Sequence, residues 1–232
     1  MSVIYEDIYK KFGFSKSQEE ILNLVGKNKI VLEIGASSGY MTSFFLKNNC
    51  TVDVIEINKS AYKKISPRVR SKINYSIEDI RILKMLSNDY DFIIMADVLE
   101  HLIDPPKILK SLLKIANDKT KLIISIPNVA SWPMRKQLFF KGDFEYQESG
   151  LLDKTHLHFY TVNTLPKLLL ASGWRVENII GTILRLPFEK TIEKVPIIGW
   201  LFKNLIYKTF VERYKNLSYY HFLVVAQKYE KH

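Results

Sequence analysis

Apolar residues along this chain occur in two textures: short runs that are apolar at nearly every position, and longer stretches in which they recur every three or four residues. The runs lie at 29–34, 51–57, 91–96 and 121–126, the length and texture of strands buried on both faces, and 72–77, half polar, reads as a further strand. The periodic stretches fall between them. Ser17 with Glu20 three residues on predicts a capped helix carrying Ile21, Leu22, Leu24 and Val25, ended by Gly26. Helices are also predicted over 40–47, and as short pieces over 60–65 and 81–86. Asp104 caps the next one with Pro105 at its first position, where a missing amide hydrogen costs nothing. Its apolar face is Leu109, Leu112, Leu113 and Ala116. A helix over 162–172, stopped by Gly173, leads to two further strands over 174–184 and 219–227.

Strands alternating with helices at this spacing predict a parallel sheet covered on both faces, because parallel neighbours need crossover connections. The expected fold is a Rossmann-like, doubly wound α/β domain spanning residues 1–232, with an N-terminal helical segment over 1–28. Two segments interrupt the alternation. Residues 128–161 are rich in aromatic, glycine and polar residues and are long enough to form a substrate loop. Residues 185–218 form an insertion before the last strand. Within it, over 196–214, Trp200, Leu201, Leu205, Ile206 and Phe210 fall near one helical face, punctuated by Lys203, Lys208 and Arg213. Such a helix can pack on the domain, cover a site as a lid, lie on an anionic membrane or form a dimer seam.

A chain of 232 residues that is 47% apolar can bury one substantial core. No window supplies the roughly 18 uncharged apolar residues of a membrane span, and the N-terminus lacks a signal-peptide layout. A cytoplasmic protein is expected, with peripheral membrane contact through 196–214 left open. The single cysteine, Cys50, excludes an internal disulfide and a cysteine-rich zinc site. The formal charge of +10 comes from basic residues spread along the chain, mildly enriched over 59–84 and 190–215. That leaves nucleic acid, a membrane surface, an acidic substrate and plain solvation all open.

The sharpest chemical signal is Val31-Leu32-Glu33-Ile34-Gly35-Ala36-Ser37-Ser38-Gly39, where a buried strand ends in a small-residue loop before a helix. Glycine there permits a tight turn and a close ligand approach, and the helix N-terminus favours an anion. A dinucleotide fingerprint would place glycines at 35, 37 and 40, but the chain has Ser37 and Tyr40. One strand later Glu56 stands where the apolar run stops, the position from which such folds hold ribose hydroxyls.

These residues resemble motif I and the following acidic loop of class I S-adenosylmethionine-dependent methyltransferases, with Glu33, Gly35 and Gly39 matching and Ser37 replacing the commoner glycine. Ser76-Ile77-Glu78-Asp79-Ile80 resembles the loop whose acidic residue meets the adenine amino group. The run from Asp91 to Leu102, ending Ala96-Asp97-Val98-Leu99-Glu100-His101-Leu102, closely resembles the fourth-strand motif of ubiquinone-biosynthesis-type small-molecule methyltransferases. Asp153-Lys154-Thr155-His156-Leu157-His158-Phe159-Tyr160-Thr161 resembles an Asp-x-Thr-His segment of the same group. The resemblance implies a seven-stranded mixed sheet with the last strand antiparallel. It also implies a cofactor site drawn from Glu33, Gly35, Ala36, Ser37, Gly39, Glu56, Ile57, Asp79, Ile80, Asp97 and Val98, with S-adenosylmethionine as the cofactor.

Methyl transfer from a sulfonium needs mainly an in-line acceptor and a dry site, and no metal. Where an acceptor hydroxyl or amine must lose a proton, histidine is the best-matched base. His101, His156 and His158 are the candidates, with Asp153 able to orient one of them. His156, His158 and Asp153 are also metal-binding residue types, but no further ligand is visible for them. Asp104-Pro105-Pro106-Lys107 is similar to the motif of nucleic-acid amino-methyltransferases, yet it carries lysine where a ring must stack on a flipped base, and helix capping explains it. The leading expectation is O-methylation of a small metabolite or a lipid- or sugar-linked precursor. An RNA methyltransferase and a non-catalytic adapter of the same fold are the alternatives, nucleic acid being the less favoured partner.

Overall fold

The computed structural model describes residues 11, 13–183 and 207–229. In chain order these form α1 (Lys16–Val25), β1 (Ile30–Ile34), α2 (Tyr40–Lys47), β2 (Thr51–Ile55), α3 (Lys59–Lys64), β3 (Ser71–Ile73) and a 3-10 turn (Ile80–Met85). Then come β4 (Phe92–Ala96), a second 3-10 turn (Leu99–His101), α4 (Pro105–Leu112), β5 (Lys121–Pro127), α5 (Trp132–Lys141), α6 (Thr164–Ala171), β6 (Trp174–Ile183), α7 (Tyr207–Arg213), α8 (Lys215–Ser218) and β7 (Tyr219–Lys228). The sheet has seven strands in the order β3-β2-β1-β4-β5-β7-β6. The first five are parallel, and β7 runs antiparallel between β5 and β6.

The period-2 geometry of the strands sorts their apolar residues onto two cores. Leu32, Ile34, Ile93, Met95, Leu122 and Ile124 face α4 and α6, where Leu109, Leu112, Leu165, Leu169 and the wholly buried Trp174 pack against them. Val31, Val52, Val54, Ile94 and Ile123 face the other way, onto Ile21, Val25, Met41 and Phe45 of α1 and α2. With both faces of the sheet covered among the described residues, the rim at the carboxyl ends of the parallel strands is where a ligand can meet several strands at once.

Several local boundaries differ from the sequence pattern. The helix expected to start at Ser17 is capped by Ser15, whose hydroxyl accepts from the Gln18 amide while the Gln18 side chain accepts from the Ser15 amide. Gln at the third helical position performs the reciprocal role expected of Glu20, and Ser17 is buried. The expected third strand is paired only over Ser71–Ile73, beyond which the chain bends into the loop at 74–79. The segment over 128–161 is not wholly loop. It contains α5, which Gly142 ends in a left-handed conformation. Only Met134 of that helix is buried, so no apolar stripe announced it. Most of the 185–218 insertion, including Trp200, Leu201, Lys203, Leu205 and Ile206, lies outside the described residues. Of the expected amphipathic face, Phe210 packs against the main core beside the buried Val211. Among the described residues no helix is long and apolar enough to cross a membrane.

Candidate active site

The rim carries a cavity of about 430 Å³, the size range of cofactor sites. Its first wall is the loop after β1. Gly35 ends the strand with φ +76° and donates its amide to the Ile55 carbonyl at 2.8 Å. A Cβ there would meet Val98 Cγ2 at 2.5 Å, so glycine lets the β1 and β4 loops close on each other. Ser37 also takes a positive φ, 51°, and its amide donates to Glu56 Oε2 at 2.7 Å. The other carboxylate oxygen of Glu56 accepts from the Asn58 amide, also at 2.7 Å. Glu56 therefore braces two loops and faces the cavity at once. Burial pushes its carboxyl up, against the pull of these two amides.

Beyond Glu56 the wall continues through Ile57, Tyr75, Ile77 and Glu78, and then returns along Asp97, Val98 and His101, with Thr155 closing the end. Asp97 follows β4 with φ +55°, a conformation that Asp tolerates better than most residues. Its Oδ1 accepts from His221 Nε2 of β7 at 2.7 Å and from Ser125 Oγ at 3.2 Å. Burial raises the Asp97 carboxyl, but the charge and hydrogen bond of His221 outweigh it and hold the group below its ordinary range.

Of the expected cofactor residues, Gly35, Ser37, Glu56, Ile57, Asp97 and Val98 line the cavity, whereas five do not. Glu33 points into the core side of the loop, buried and accepting from Thr42 Oγ1 at 2.5 Å. Burial, partly opposed by Thr42 and reinforced by Glu56, pushes it up to about 8. Ala36 is packed in the core on the α1 and α2 side. Gly39 caps α2 with φ +79°, and a Cβ there would sit 3.3 Å from Ile65 Cα. Asp79 turns out to solvent, where Arg81 pairs with it at 2.7 Å and lowers its pKa. Ile80 opens the 3-10 turn and is partly exposed. The neighbour Glu78 faces the cavity instead, accepting from the amide of Ile103 at 2.8 Å.

Among the expected catalytic residues only His101 reaches the cavity. Its Nδ1 lies 3.1 Å from both the carbonyl and the hydroxyl of Thr155, and Asp153 Oδ1 accepts from the Thr155 hydroxyl at 2.6 Å and its amide at 2.9 Å. Asp153 thus braces Thr155, which in turn meets His101. His156 is buried one layer behind, its Nδ1 3.0 Å from the Leu151 carbonyl and its ring 4.8 Å from that of His101. Burial lowers its pKa. His158 stacks obliquely near Tyr160, away from the cavity, because its amide and that of Leu157 are both tied to the Glu100 carbonyl. Glu100 itself is 1% exposed; burial, and then the charge of Asp97, push its carboxyl well above the usual range. Neither Glu100 nor His221 was singled out from the sequence. His221 lies 124 residues from its partner Asp97, and nothing local in β7 marks it.

The walls fit S-adenosylmethionine. Glu56 offers a carboxylate to a diol, the Tyr75 and Ile77 stretch an apolar slot, and Asp97 a negative charge to a sulfonium or ammonium.

A sequence profile of the methyltransferase domain matches residues 9–179. The ubiquinone biosynthesis O-methyltransferase of Coxiella burnetii is 27% identical over 168 residues, 70% of this chain and 70% of that protein. The tRNA U34 carboxymethyltransferase of Aliarcobacter butzleri is 31% identical over 103 residues, 42% of this chain and 34% of that protein. A solved structure of a SAM dependent methyltransferase from Archaeoglobus fulgidus superposes with a TM-score of 0.62 at 17% identity, over 97% of this chain and 99% of its own. The last is a likeness of fold.

Proposed function

The chain belongs to the methyltransferase-domain family and is an S-adenosylmethionine-dependent enzyme, and from that premise we propose that it methylates a hydroxyl oxygen of a small metabolite or a lipid- or sugar-linked precursor. One observation carries the reading: His101 stands in the cavity wall beside Asp97, with its ring turned by Thr155 and Asp153. The bound cofactor supplies an electrophilic methyl on a sulfonium. In this reading Glu56 holds the ribose, Asp97 the positively charged end, and Gly35 and Ser37 supply close backbone approach. Because Nδ1 of His101 is engaged by Thr155, Nε2 is the nitrogen that acts on an acceptor placed in the cavity, and a proton leaves the hydroxyl on that side. Residues 128–161, through Thr155, border the acceptor.

An RNA acceptor is the second reading, favoured by the likeness to a tRNA-modifying relative and by the charge of +10. The test is transfer of labelled methyl from S-adenosylmethionine to phenolic and sugar hydroxyl acceptors and to bulk tRNA, at low and moderate salt. Label on a hydroxyl acceptor, reduced about 10²- to 10⁴-fold in His101→Ala, is expected. Label only in RNA, with steep salt dependence, would overturn the small-molecule reading.

A further inference from the structure

We propose that His221, on the last strand, is a positioning residue for the cofactor: it holds one oxygen of Asp97 so that the other faces the positively charged end of S-adenosylmethionine. It thereby sets how strongly the site prefers that cation to the product, S-adenosylhomocysteine. The inference rests on the reading that Asp97 meets the charged end of the cofactor.

The register of the sheet brings the pair together. β7 runs antiparallel to β5, so its first residues return to the rim where the parallel strands end, and His221 stands opposite Pro127, the last residue of β5. Strand side chains alternate between faces. Ile123 and Ser125 therefore share one face of β5, and Val225, Leu223 and His221 the matching face of β7, with Val225 paired to Ile123 and Leu223 to Ser125. Ile123, Leu223 and Val225 belong to the core on the α1 and α2 side. Towards the rim both columns turn from apolar to polar, and the two polar side chains, Ser125 and His221, converge on Asp97.

Their contacts divide the Asp97 carboxylate. The Asp97 amide donates to the Ser125 carbonyl at 3.1 Å, which with a φ of +55° fixes the backbone. A carboxylate oxygen only accepts, so His221 Nε2 at 2.7 Å and Ser125 Oγ at 3.2 Å both donate to Oδ1. Oδ2 is left on the side of the cavity that Asp97 lines, where the side chain is 34% exposed. Burial alone would raise the Asp97 carboxyl, and the charge and hydrogen bond of His221 keep it ionised. S-adenosylmethionine carries one positive charge more than S-adenosylhomocysteine, at the sulfur. A carboxylate kept negative in a cavity of low dielectric therefore favours the first ligand over the second.

His221 acts through Asp97 rather than on a ligand. Its Nδ1 is buried without a hydrogen-bond partner, and the described lining of the cavity does not include the ring. A buried nitrogen left unpaired costs stability, and leucine or phenylalanine at this place would avoid that cost. The bond to Asp97 is what histidine supplies and they do not.

The test is calorimetric titration of the full chain with S-adenosylmethionine and with S-adenosylhomocysteine, circular dichroism confirming the fold of each variant. His221→Phe removes the donor and leaves the buried Asp97 carboxyl to take up a proton. Its affinity for S-adenosylmethionine should fall about tenfold and that for S-adenosylhomocysteine by less, so that the ratio of the two drops about threefold. His221→Gln, whose amide nitrogen reaches the place of Nε2, should recover most of the loss. Asp97→Asn should lower the ratio likewise, and adding His221→Phe to it should change little further, because the two side chains act as one unit. The same comparison with His221→Ala applies if the larger ring disturbs β7. Equal weakening of both ligands, losses that add in the double variant, or wild-type affinities without the histidine would each overturn the proposal. If Asp97→Asn itself leaves both affinities unchanged, the reading of Asp97 fails and the proposal falls with it. If Asp97→Asn lowers the ratio and His221→Phe does not, the reading stands and the proposal alone fails.

Discussion

The two ends of the cavity are built in different ways. At the cofactor end each contributing residue sits within a few positions of a parallel strand's end, and the backbone does much of the work: Gly35 and Ser37 in left-handed conformations, the Ser37 amide on Glu56. At the acceptor end the groups come from 100–101 after β4 and the 151–156 loop, and side chains do the work. At the cofactor end the Glu56 carboxylate is satisfied by two backbone amides, while the Ser37 hydroxyl is buried without a partner. The acceptor end holds the buried Glu100 side chain, neither of its oxygens hydrogen-bonded, beside two imidazoles. A constant ligand can be held by loop grammar that each βα unit supplies locally. Chemistry on an acceptor requires unpaired groups, and only the packing of distant elements holds such groups in place.

The contrast predicts separable losses. Glu56→Ala should weaken S-adenosylmethionine binding about ten- to a hundredfold, since a hydrogen bond to a charged group is worth about 1.5–3 kcal/mol and Ser37 loses its anchor as well. Asp79→Ala, one loop on but turned to solvent, should leave that affinity within about twofold. Calorimetric titration of both variants checks the pair, and equal effects would break the division of the cofactor wall drawn from the geometry. At the other end, Thr155→Val should lower kcat about tenfold with little change in cofactor affinity, and Thr155→Ser should restore it. A change confined to cofactor binding would remove Thr155 from the positioning of His101.

A separate effect concerns stability. Glu33 keeps its proton in the folded chain up to about pH 8, while the unfolded chain loses it near the ordinary carboxylate value. Its contribution is thus fully present below the unfolded pKa of about 4.5 and is lost as pH rises towards 8, at no more than about 1.4 kcal/mol per pH unit. Glu33→Gln, which keeps an acceptor for Thr42, should flatten that slope in denaturant unfolding measured from pH 5 to 8. An unchanged slope would place the pH dependence elsewhere.

What the amino-acid sequence by itself determined was the order and type of most elements, and that Gly35, Ser37, Glu56, Ile57, Asp97 and Val98 stand on loops at one rim. Buried parallel strands write themselves as unbroken apolar runs, and the residues that follow each run face the same rim. The position of the antiparallel β7 came from family resemblance. α5 escaped because a helix with one buried residue leaves no period to detect. The choice of Glu78 over Asp79 depended on which way one loop turns, a single φ/ψ decision that composition does not encode. His221 on Asp97, and Glu100 against His156, were decided only by tertiary structure. Those contacts join residues 124 and 56 positions apart, and a sheet that places β7 beside β5 creates them at distances no local pattern can anticipate.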